Sequence, residues 1–269
     1  MSSLLQGLIL GLVQGVTEFF PVSSSGHLIL VPSLLGWPDQ GLAFDTILHL
    51  GTLCALLWAF RADLAQIYVR AVKKRDHATR RFVTMVLVAS LPGLAVGALY
   101  GEQIAAAFRG PLPVAFDLVF WGIVLLVVDR WSARQSGKVS DPRNASWRHT
   151  VIVGMSQILA LLPGTSRSGI TMTGGMLSGL DRSAAVAFSF YVSIPTIAAA
   201  GAYGMIKLIR EPSVIGSGGF GPLIVGFIAA AVSGAWAVRF LRAYVAKHSL
   251  SVFVWYRLIL AAVVLWFAK

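Results

Sequence analysis

Long apolar runs alternate with short basic ones along the whole chain, and two of the apolar runs carry a polar island. The first run, 4–20, places Gly7, Gly11 and Gly15 four residues apart, which lays one smooth stripe along a helix. Pro21 stops that helix. Ser23, Ser24 and Ser25 suit the start of a second short helix running to Leu35 and Gly36, so the segment predicts two half-length helices joined at mid-depth, a re-entrant hairpin. Runs at about 42–60, 82–100 and 114–128 each fit one membrane span, the second kinked at Pro92 and Gly93. Between them, links 61–81 and 129–150 hold seven and five Lys or Arg, whereas 101–113 holds only Arg109.

The second half repeats the first. A displacement of 143 residues puts Gly11 on Gly154, Gln14 on Gln157, Ser23 on Ser166, Ser25 on Ser168 and Gly26 on Gly169. This divides the chain into a first repeat, 1–128, a cytoplasmic connector, 129–150, and a second repeat, 151–269. A hairpin followed by three spans crosses the membrane an odd number of times, so the second repeat is expected to be inverted. The expected fold is therefore an all-α integral membrane protein with six spans and two re-entrant hairpins. Counting charges agrees: the expected inside connectors hold sixteen Lys or Arg, and the outside segments four, namely Arg109, Lys207, Arg210 and Lys269.

Composition narrows the class further. With 57% apolar and 12% charged residues in 269, the chain does not read as a soluble domain. Its net charge of +11 lies in connectors between apolar runs, which points to a bilayer surface and away from nucleic acid. The lone Cys54 has no internal disulfide partner. The N-terminus lacks the basic start of a cleaved signal peptide, so the first segment is expected to stay. Trp131, Trp147, Trp255 and Trp266 read as interface belts.

The chemistry is expected where charge is costly. Glu18, in an apolar surround, needs a partner, and Arg167 in the second island supplies the opposite charge. Gln14 and Glu18 share a helical face, and Gly164, Thr165, Ser166 and Ser168 open a helix whose free N–H groups suit an anion. A hydroxyl beside a carboxylate, an imidazole and an arginine clamp fits phosphoryl transfer. The rival is an inverted-repeat transporter or lipid flippase. Asp45 and His49, four apart, line the cavity or pair across the bundle and stay outside the catalytic set. Tyr256 and Arg257 read as interface anchors.

Gln14-x3-Glu18 with Pro21-Val-Ser-Ser-Ser-Gly-His27, and Pro163-Gly-Thr-Ser-Arg-Ser168 with Thr171, closely resemble the signature pair of the bacterial undecaprenyl-diphosphate phosphatases, also called bacitracin-resistance proteins. The resemblance implies hydrolysis of undecaprenyl diphosphate to the monophosphate in the inner membrane, which recycles the lipid carrier of peptidoglycan synthesis. It implies Glu18 as the essential acid, Ser24 as nucleophile, His27 as proton carrier and Arg167 as diphosphate ligand. Ser23, Ser166 and Thr171 match supporting polar positions, and Ser25 is expected beside them at the substrate. It also implies a divalent cation, Mg²⁺ or Ca²⁺, at Glu18 with Gln14, where many relatives have a second Glu. The charge bias places the site on the extracytoplasmic side. Oligomeric state is left open, a homodimer included. An acid-phosphatase-like reading fails, because the only histidine beyond Arg167 is His248, in a basic connector.

Overall fold

The computed structural model describes residues 3–210 and 219–267, and these are helical almost throughout. Helix α1, Ser3–Phe19, breaks before Pro21, and α2, Ser24–Leu35, ends on Gly36 in the left-handed conformation. Next comes α3, Gly41–Ala59, bent by 69° at Phe60 into α4, Arg61–Tyr68, and a π turn over Val69–Lys73. Helices α5, His77–Phe108, and α6, Pro111–Ala133, complete the first half. The second runs α7, Trp147–Leu159; α8, Arg167–Ser178; α9, Arg182–Arg210; α10, Phe220–Val245; and α11, Ser251–Phe267.

The links are shorter than their polarity predicts. Residues 102–108 are good helix formers with no proline before Pro111, so α5 continues through them, and the expected link 101–113 shrinks to Arg109 and Gly110. Pro92 lies inside α5 without ending it, and the hydroxyl of neighbouring Ser90 donates to Leu87 O at 2.6 Å. The basic link after Phe60 is itself helical. Lys269, one of the four outside cations, lies outside the described residues.

Among the described residues four helices, α5, α6, α9 and α10, are long and apolar enough to cross a bilayer, and bent α3–α4 makes a fifth if counted as one span. Burial departs from that of a water-soluble protein at both the surface and the centre. Phe116, Phe120, Ile224, Val232 and Trp266 face outward, while Gln14, Glu18, His27, Thr171 and Arg257 are buried. Only a hydrocarbon solvent rewards that distribution, so the chain is a multi-pass membrane protein.

Small residues set the closest contacts. Along α1, Gly7 and Gly11 lie against α10 so closely that a Cβ would strike the carbonyl oxygens of Pro222 and Gly226. Gly11→Val is expected to lower stability by about 2 kcal/mol or more, because two backbones must part. Thermal unfolding in detergent reads this, with Gly101→Val, where a Cβ meets nothing within 4 Å, as the neutral control. In the second half α7 packs on α5 in the same way, Gly154 against the backbone of Ala89. Elsewhere α3 contacts α9, and α6 runs along α11.

Ion pairs fasten the two ends of the bundle. At one, buried Asp129 on α6 accepts from Arg182 Nε at 2.6 Å and from Leu250 N at 3.0 Å, joining α6, α9 and the α10–α11 turn. At the other, Arg109 forks onto Asp39 with two 2.7 Å bonds and reaches Asp45 at 2.9 Å. The bonds from Arg109 hold the Asp39 carboxyl below its usual range, so this tie stays charged at neutral pH.

Candidate active site

Two backbone elbows face each other inside the bundle. Ser23 and Ser166 have positive φ, 72° and 76°, which non-glycine residues rarely adopt. Each hydroxyl accepts the N–H three residues on, from Gly26 at 3.2 Å and Gly169 at 3.1 Å, so the chain can turn sharply and start a helix at once. The elbows are also bonded to each other. Gly164 N donates to Ser23 Oγ at 3.1 Å, and Ser168 Oγ donates to the Phe20 carbonyl at 3.0 Å.

The first residues of the two new helices are Ser24 and Arg167, and the 143-residue displacement superposes them. Both reach Glu18. Ser24 Oγ donates to Glu18 Oε2 at 2.6 Å, and Arg167 Nη2 pairs with Glu18 Oε1. Gln14 Nε2 donates to Oε2 at 2.9 Å, one helical turn back on α1. One carboxylate thus joins both halves of the chain. Each new helix also begins with N–H groups that have no intrahelical carbonyl, so two positive dipole ends converge on this point.

His49 completes the cluster. Its Nδ1–H donates to the Asp45 carbonyl at 2.7 Å, which leaves Nε2 facing Glu18 Oε2 at 3.3 Å. The i, i+4 spacing of Asp45 and His49 is visible in the sequence, but their approach to Glu18 depends on how α3 packs against α1. Asp45 instead turns its carboxylate to Arg109.

His27 stands elsewhere. Its Nδ1–H donates to Ser23 O at 2.7 Å and Nε2 accepts from Tyr256 OH at 2.7 Å, so both ring nitrogens are engaged away from Glu18. Several other hydroxyls serve the elbows. Ser166 and Ser168 bond each other at 3.1 Å, and Thr171 Oγ1 lies against the Arg167 carbonyl and Ser189. Ser24 and Ser25 are half-buried and more accessible than Ser23. Among the described residues, two buried side-chain polar atoms have no hydrogen-bond partner, Gln14 Oε1 and Thr165 Oγ1, and both flank the cluster in sequence.

Arg257 lies outside the role expected of it. The guanidinium is completely buried, and its nitrogens go to the carbonyls of Pro21 at 3.3 Å, Gly164 at 2.9 Å and Thr165 at 3.2 Å. It also holds Leu118 O and Asp117 O on α6. No short motif surrounds this arginine in the sequence, so only the fold reveals its setting.

Known proteins match the chain along nearly all its length. The undecaprenyl-diphosphatase of Gemmatimonas aurantiaca is 44% identical over 264 residues, covering 96% of each chain. That of Pelobacter propionicus is 43% identical, covering 96% of this chain and 94% of its own. Undecaprenyl-diphosphatase 2 of Stutzerimonas stutzeri is 39% identical over 97% of both. The profile described as bacitracin resistance protein BacA matches residues 7–263, and with the elbows and their shared carboxylate now located, the chain belongs to that family.

Proposed function

We propose that the protein hydrolyses undecaprenyl diphosphate to undecaprenyl phosphate and inorganic phosphate. The observation that carries this reading is the 2.6 Å bond from Ser24 to Glu18 beside Arg167, a nucleophile already resting on its base. Ser24 Oγ attacks the terminal phosphorus, and its proton passes to Glu18 Oε2. The bond from that phosphorus to the bridging oxygen breaks, releasing the lipid monophosphate. Water then attacks the phosphoserine, inorganic phosphate leaves, and Glu18 returns the proton to Ser24. Arg167, whose guanidinium carries five donors, stabilises the charge that builds on the phosphate oxygens. His49 shares the proton load of Glu18. His27 steadies the elbow through the Ser23 carbonyl.

A divalent cation belongs to this reading. Glu18 and, with its amide turned over from the present Nε2 contact, Gln14 would offer an oxygen pair, too few for a protein-only cage and suited to Mg²⁺ or Ca²⁺ completed by phosphate oxygens. When bound, it would neutralise diphosphate charge.

The arrangement in the membrane is proposed likewise. Six spans and two re-entrant hairpins form an inverted repeat in the bacterial cytoplasmic membrane, with the site opening to the extracytoplasmic side. Matching elbows, equal element order and the paired contacts of α1 with α10 and α7 with α5 support it, as does the charge bias of the connectors. A hydroxyl donated to a carboxylate beside an arginine favours chemistry over transport.

Phosphate release from a C55 diphosphate by the purified protein tests the function. Ser24→Ala is expected to lower the rate by at least roughly a hundredfold with the protein still folded. Wild-type rates in both Ser24→Ala and Arg167→Ala would overturn it.

A further inference from the structure

We infer that Arg257 is a positioning residue for this hydrolysis: it fixes the two elbows in register from behind. The inference rests on the proposed phosphatase reading and adds a residue that touches none of the reacting groups.

Three observations support it. The guanidinium contacts both elbows at once, Pro21 O on the first and Gly164 O and Thr165 O on the second, two residues before Arg167. Nη1 lies beneath the first turn of α8, where a Cβ built on Gly169 would approach it to 3.4 Å. Its hydrogen bonds go to backbone carbonyls on three segments, so the negative ends of peptide dipoles hold the guanidinium, while the Asp117 carboxyl on α6 attracts it through space.

Geometry explains why arginine stands there. Five carbonyls converge from different directions, three on Nη2, which shares its two N–H groups among them, one on Nη1 and one on Nε; a rigid planar fork can meet them, whereas an ammonium has three donors at one point. Pulling one carbonyl away shifts an elbow, and with it Ser24 or Arg167 relative to Glu18. Displacements of about 1 Å in such constellations lower rates by roughly a hundredfold. Gly122 on α6, where a Cβ would come within 3.5 Å of Nε, leaves the space in which the side chain lies.

Purified Arg257→Lys and Arg257→Gln variants test this with three readouts: melting temperature, hydrogen exchange, and kcat with KM on C55 diphosphate. In Arg257→Lys the charge survives and the fork does not, so kcat should fall at least roughly tenfold while KM changes less than about threefold. Exchange should quicken in peptides covering 19–26 and 160–170 and stay unchanged along α10. Arg257→Gln should in addition raise KM, because the buried charge is gone. If Arg257→Gln does not fold, the lysine variant alone decides. Arg257→Lys with wild-type exchange at the elbows and kcat within twofold overturns the inference. So does exchange quickening uniformly along the chain, which would assign Arg257 to stability alone. Failure of the phosphatase reading would appear separately, as no phosphate release by the wild type, while the exchange measurement needs no substrate.

Discussion

Glu18→Gln is expected to reduce phosphate release by roughly a thousandfold, within the range that a positioned general base contributes. The carboxylate receives Ser24 at 2.6 Å, Gln14 at 2.9 Å and Arg167, and faces His49 at 3.3 Å. An amide keeps the shape and gives up the charge, so Ser24 loses its proton acceptor and Arg167 its counter-ion. Breaking a buried ion pair from one side typically costs about 3–5 kcal/mol, so the melting temperature should fall as well. Single-turnover release, normalised to folded protein, separates the two effects. Glu18→Asp should retain more activity than Glu18→Gln, since it keeps the charge at a shorter reach. Should Glu18→Gln turn over within tenfold of wild type, another group takes the proton from Ser24.

Much of this site was readable before any coordinates. Pro21 and the serines after it specify the first break, and the 143-residue displacement specifies the second, because a helix that starts just after a break needs hydroxyls to satisfy its free N–H groups. Glu18 and Arg167 could be paired by elimination, each being costly alone in an apolar run. What stayed hidden depends on how helices lie against each other. His49 is on α3 and approaches Glu18 across a helix interface. Tyr256 and Arg257 sit in the last helix, more than 200 residues from the elbow they support. The hydroxyls misled in a different way. Serines at a helix start look alike in sequence, but in the fold Ser23, Ser166 and Ser168 stitch backbone together while Ser24 faces the carboxylate.

The repeat itself was legible, its divergence less so. Gln14 and Gln157 occupy equivalent positions, but Gln14 bonds to Glu18, whereas Gln157 ties Ala89 O to Thr196 at 2.6 and 3.1 Å. Leu161 stands where the displacement would place a second Glu18. One half therefore holds Glu18 and Ser24, and the other Arg167. A single site results from two similar elbows.

Arg167→Ala should cost at least as much as Glu18→Gln, again roughly a thousandfold, and should also raise KM about tenfold or more. In the resting protein Arg167 holds Glu18. When a diphosphate enters, its oxygens compete for the same guanidinium, and as the arginine turns to them the carboxylate loses its counter-ion and becomes the better base for Ser24. Substrate binding and activation of the nucleophile are then one event. Arg167→Lys keeps the charge without the planar fork, so it should recover part of KM and little of kcat. The sharpest check is the double variant. If Glu18 and Arg167 act as a unit, adding Arg167→Ala to Glu18→Gln should lower the rate by less than about tenfold, far short of its effect alone. Full additivity of the two losses would mean that the arginine meets the substrate independently of the carboxylate, and the hand-off between them does not occur.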